Sequence, residues 1–201
     1  MKEPRKNQNQ IVVAQLCCFL FAAIFGLSGH LFSEASRPIL YKMVDAIFIT
    51  GTILLAMKLA SDGWDMPAAG FTLLSIAWGV FFLAKDFHEQ EVGEDIFTSA
   101  FYFLLPSMIL VTFYPRFPLL IKIVSLLTIV PSLIGLIASK TGVPLEEYDI
   151  WRTINYQSVH ITSLFWGFFF FMEFRKSRLN VSTIIDSEIG DEPNKGDSEN
   201  S

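Results

Sequence analysis

Long apolar runs separated by short polar breaks fill the chain from residue 11 to residue 172. The runs lie at 11–32, 39–60, 68–84, 96–114, 118–138 and 153–172, and each carries few charges. About 20 helical residues cross the roughly 30 Å of hydrocarbon in a bilayer, so each run predicts a membrane-spanning helix. The pattern therefore predicts an all-α, polytopic integral membrane protein, a bundle of six transmembrane helices with short connectors. Its transmembrane domain covers 11–178, after a basic N-terminus at 1–10 that carries Lys2, Arg5 and Lys6. Residues 179–201 are rich in Ser, Asp and Glu and hold no aromatic residue. A segment of that kind cannot bury enough surface to fold and predicts a disordered acidic tail.

The polar breaks differ in kind. Ser61–Pro67 is a tight turn by its Gly and Pro content, and Tyr114–Pro118 (YPRFP) is the turn after the fourth helix. Lys85–Asp95 (KDFHEQEVGED) reads as an acidic, solvated connector, and 139–152 as the longest internal one. Pro106 and Pro131 fall inside predicted helices, where proline removes a backbone bond and predicts a kink. Along the first helix Gln15, Cys18, Ala22, Gly26 and Gly29 recur at helical spacing. Small residues so placed let helices approach closely in lipid, so this stripe predicts a packing face. The neighbouring Cys17 and Cys18 lie inside the same helix, which is no disulfide framework and reads as small-residue packing.

Composition supports the class without changing it: 52% of residues are hydrophobic and 17% charged, against about 25% charged in soluble domains. The net charge of −5 comes partly from the tail, and nothing in the chain resembles a nucleic-acid-binding surface. Orientation follows from Lys and Arg near helix ends, which favour the cytoplasm. One side collects Lys2, Arg5, Lys6, Lys58, Arg116, Lys122, Arg175, Lys176 and Arg178, the other Arg37, Lys42, Lys85, Lys140 and Arg152. That bias predicts a multi-pass cell-membrane protein with both termini cytoplasmic.

Helix parity then sends His30, His88 and His160 to the same, extracytoplasmic side, with Asp45, Asp86, Glu94 and Asp95. Ionisable residues at membrane depth are costly and face a bundle interior or a water-filled cavity. Asp45 shares a helical face with Tyr41 and Thr52, and His160 shares one with Tyr156, Ser163 and Gly167. The expected pocket is Tyr41, Asp45, Tyr156, His160 and Ser163. Within it Asp45 and His160 face each other across a direct or water-bridged hydrogen bond. Lys42 and Tyr41 are the other candidate partners of Asp45.

Imidazoles and carboxylates together suit zinc, whose bound water is a nucleophile near neutral pH. Candidate metal ligands are His30, His88 and His160, and candidate catalytic groups are Asp45, Asp86 and His160. Each histidine nevertheless stands alone on its helix, without a paired spacing. Gly26–Gly29 (GLSG) is similar to the G-x-S-G motif of rhomboid intramembrane proteases. That resemblance would imply a Ser28–His160 dyad, yet it covers four residues in the first helix rather than the fourth and reads as coincidence.

Three functions remain open at this level. The first is a membrane protein whose polar pocket binds or moves a small solute or lipid. The others are a metal-dependent hydrolase of a lipid-like substrate and a non-catalytic subunit bound to another membrane protein.

Overall fold

The computed structural model describes residues 5–86, 90–141, 143 and 145–190. Among them are six α-helices and no strand: α1 (Arg5–Ser28), α2 (Arg37–Ser61), α3 (Asp65–Ala84), α4 (Gln90–Thr112), α5 (Leu119–Lys140) and α6 (Leu145–Gly190). A single 3₁₀ turn, Gly29–Leu31, follows α1. Each helix packs on its neighbour in the chain, and α6 returns to α1, so the six close into a ring. The core is aromatic and dense, with Phe19, Phe48, Phe71, Trp78, Phe101 and Trp166 almost fully buried. Large apolar residues such as Ile24, Met57, Leu83, Phe113 and Leu127 face outward. A ring apolar on both its inner and outer surfaces is what a bundle immersed in hydrocarbon needs.

Among the described residues five helices are long and apolar enough to cross a membrane: Gln10–Leu31, Arg37–Ser61, Asp65–Ala84, Val92–Thr112 and Leu119–Ala138. The chain is a multi-pass helical membrane protein. Helix α6 falls short of the same measure, because Asn155, Gln157, Ser158, His160, Thr162 and Ser163 interrupt its apolar run. Much of that polarity is turned inward. Thr162 bonds Thr128 at 2.6 Å, Ser132 donates to Asn155 Oδ1 at 2.6 Å, and the Trp166 indole donates to Ser125 at 3.1 Å. All three bonds tie α6 to α5 and are buried. Such bonds hold helices together in lipid, where apolar contact alone provides no preference.

Several boundaries differ from expectation. Helix α4 starts at Gln90, so the second half of the acidic stretch is helical rather than a solvated connector. Acidic residues suit the positive end of a helix dipole, which explains the early start. Residues 87–89, His88 included, lie outside the described residues. Helix α6 starts at Leu145, inside the expected connector at 139–152, and its first turn also carries two acids, Glu146 and Glu147. It runs on to Gly190 rather than ending near Met172, so the expected tail is helical over its first part. Once a packed segment has nucleated a helix, each further residue adds one backbone bond without needing a core. Residues 191–201 lie outside the described residues. Pro106 and Pro131 sit within α4 and α5, both of which are continuous helices.

The small-residue stripe of α1 does serve packing. Gly26 lies against His160, Gly29 against Tyr41, and Cys18 against Gly51 of α2. Cys17 faces outward, so of the two cysteines Cys18 is the one set against a neighbouring helix.

Candidate functional site

The α2–α3 hairpin turns at Asp62–Gly63, where Gly63 adopts a positive φ of 78° that suits glycine. The two helices run antiparallel from that turn, so residues before it face residues after it along the hairpin. Thr52 and Ser75 meet at 2.8 Å half-way along it. At its open end two ion pairs form with their charges reversed: Lys42 of α2 with Asp86, and Lys85 with Asp45 of α2. The outer pair is exposed on both sides, at 37% and 51% of the side-chain surface. The inner pair is unequal, with Lys85 33% exposed and Asp45 at 1%. Lys85 follows the last turn of α3 and reaches inward from the rim.

Around Asp45 the walls are aromatic. The Lys85 ammonium stands 5.9 Å from the Tyr41 ring centre and 5.6 Å from that of Tyr156, and the two rings meet edge-on at 5.8 Å. Trp78 of α3 stacks against Tyr156 at 6.2 Å. Deeper still, His160 is fully buried among Tyr156, Phe48 and Trp78, with ring centres 4.4, 5.2 and 5.9 Å away. Gly26 of α1 forms the floor: a Cβ placed there would come within 2.9 Å of His160 Cδ2. The absence of a side chain at residue 26 is therefore what admits the imidazole.

Hydrogen bonding in this cluster is incomplete. Among the described residues, Asp45 Oδ1, Trp78 Nε1, Tyr156 Oη and both ring nitrogens of His160 are buried without a hydrogen-bond partner. The Trp78 indole and the Tyr156 hydroxyl lie within hydrogen-bonding reach of the Asp45 carboxylate, but at a geometry short of a well-formed bond. A buried polar group without a partner costs about 1–3 kcal/mol, and native interiors hold few of them. Five such atoms from α2, α3 and α6 in one place are the outstanding chemical feature of the molecule.

The expected pocket residues are thus brought together in part. Tyr41, Asp45, Tyr156 and His160 line one cluster at the end of the bundle where α2 and α6 begin. Ser163 is buried but donates to the His160 carbonyl at 2.7 Å, so its hydroxyl is used within its own helix. Asp45 does not bond His160; its partner is Lys85, while Lys42 is taken by Asp86. Lys85, Trp78, Phe48 and Gly26 were missed. One signal exists, for Trp78: the seven residues that set it on the same face of α3 as Lys85.

Of the two described histidines, His30 and His160, neither partners the other. His30 is exposed, and its Nδ1 lies 3.1 Å from the Leu27 carbonyl. Ser28 donates to the Ile24 carbonyl at 2.6 Å, and the His160 ring accepts from no described residue, so no Ser28–His160 dyad forms. Among the described residues no three His, Cys, Asp or Glu side chains converge as a metal site would require. No family model, curated protein or solved structure matches the chain.

Proposed function

We propose that the chain is a six-span membrane protein, with α6 as the sixth span. Both termini are cytoplasmic, and a polar site around Asp45 opens toward the extracytoplasmic side to bind or carry a small solute or lipid. One observation carries this reading: the cluster of unpartnered donors and acceptors beside a buried carboxylate. A structural ion pair alone would call for apolar neighbours or neighbours that complete its hydrogen bonds. Here three helices present polar atoms that their own packing does not use. The inward polarity of α6 supports its role as a sixth span, since a polar helix is tolerated in a bundle where its polar face meets other helices.

Native mass spectrometry of the purified protein tests the site. Wild type released from detergent should carry a bound small molecule that Trp78→Phe and His160→Gln lose without loss of fold. Identical bare masses for all three proteins would remove the site from consideration as a binding pocket.

A further inference from the structure

The charge pattern of the cluster narrows its ligand. Resting on the reading just proposed, we infer that the Asp45 pocket takes an organic ammonium of the amino-alcohol type, and that Lys85 occupies it as an internal stand-in which the ligand displaces.

Three observations lead there. A buried carboxylate lies beneath two tyrosine rings, each within about 6 Å of a cation, the range at which an aromatic face attracts an ammonium group. The present occupant is an ammonium group too, but one on a flexible stem rooted at the rim. Its side chain is one-third exposed, so withdrawal into the exposed surroundings of Lys42 and Asp86 needs only rotamer changes.

Lys85 also leaves the site half used. Its Nζ engages Asp45 Oδ2, while Asp45 Oδ1, the Trp78 N–H, the Tyr156 hydroxyl and the His160 ring stay unpartnered. An ammonium carrying an oxygen two carbons away, as in ethanolamine or choline, places its charge on Asp45. Its oxygen then reaches the Trp78 N–H or the Tyr156 O–H. An anion would meet the Asp45 charge, and a neutral polyol has nothing with which to displace Lys85.

Amine-reactive labelling of Lys85, read by mass spectrometry in the full-length protein, tests displacement directly. Lys58, paired with Asp62 at the opposite end of the hairpin, serves as the internal reference. Choline is the probe, because its quaternary nitrogen does not consume the reagent; equimolar sodium chloride and ethylene glycol are the controls. Choline should raise Lys85 labelling several-fold over Lys58, and neither control should. Titration calorimetry with ethanolamine should show binding at least ten-fold tighter to Lys85→Met than to wild type, and none to Asp45→Asn.

The source of the ammonium is read in nanodiscs. Labelling already high in phosphatidylcholine, but low in phosphatidylglycerol, identifies a lipid headgroup; a rise only on adding free choline identifies a solute. Lys85 labelling unchanged by choline in detergent and in both lipids overturns the proposal, and it needs no variant to fold. If the native mass spectra still show an adduct that Trp78→Phe and His160→Gln lose, the ammonium class fails while the binding site stands.

Discussion

Asp45 and Lys85 are unequal partners. The carboxylate is sealed in and cannot leave, whereas the lysine can withdraw its ammonium to the interface. Lys85→Met should therefore destabilise the protein by about 3–5 kcal/mol, the cost of stranding a buried charge. Asp45→Asn should cost clearly less, and Asp45→Asn combined with Lys85→Met should recover much of the loss. Unfolding in detergent measures all three, and equal losses for the two single variants would contradict the asymmetry. Neither partner was readable as such from the chain alone, because Lys85 opens a run of charges that looks wholly solvated. Pairing across a hairpin depends on where the turn falls, and that register is a tertiary fact.

At the opposite end of the bundle Tyr114 is 2% exposed, edge-on to Trp64 at 4.9 Å, near the Arg116–Glu173 ion pair at 3.0 Å. Burial, and then the Glu173 charge, push its hydroxyl up from 10.0 to about 12. The folded state then holds this proton more tightly than the unfolded chain, so its contribution is complete below about pH 10 and is lost as pH rises toward 12. Stability measured across that window should fall, and Tyr114→Phe should flatten the fall. An unchanged slope in that variant would assign the pH dependence to other groups.

At the scale of elements, α1 is held against α6 by what it lacks. Gly26→Ala sets a methyl group against the His160 ring and should cost about 1–3 kcal/mol, the range for overpacking a filled core. Gly79 of α3 has open space around its Cα, so Gly79→Ala should cost nothing and can gain a few tenths of a kcal/mol or more. On a His160→Ala background the Gly26→Ala penalty should shrink, since the obstruction is gone. Equal penalties with and without the imidazole would place the conflict elsewhere. The small-residue stripe of α1 was legible from spacing alone, because period 3.6 is a local property. Which residue would fill the hollow at Gly26 was not, because His160 comes from the far end of the chain.

Helix α6 shows the same division. Its apolar stretch was visible, but its polar residues read equally well as a pocket, a solvated face or an interhelical seam. Packing against α5 resolves this for Asn155, Thr162 and Trp166, whose polar atoms are taken up by Ser132, Thr128 and Ser125. His160 and Tyr156 are left as buried polar groups of α6 that α5 does not satisfy, and they lie together on the Asp45 side of the ring.

At the scale of the whole molecule, orientation is the proposal with the widest consequences. Reporter fusions after Lys6, Gln90 and Ser187 should place the first and third inside and the second outside. An extracytoplasmic signal at Ser187 without one at Gln90 would invert the molecule and open the Asp45 site to the cytoplasm. Class and the positions of five apolar spans followed from sequence, because hydrocarbon thickness and helix rise convert run length directly into topology. The convergence of His30, Asp45, Asp86 and His160 toward one end followed as well, from helix parity alone. What only the closed ring decided is which of them touch. Asp45 belongs to Lys85, Asp86 to Lys42, and His160 to a pocket of aromatic rings, while His30 is left outside. Parity fixes the end of a bundle at which a residue sits, but rotation about each helix axis and the register between helices fix its neighbours. Those two quantities are set by side-chain packing across residues far apart in the chain.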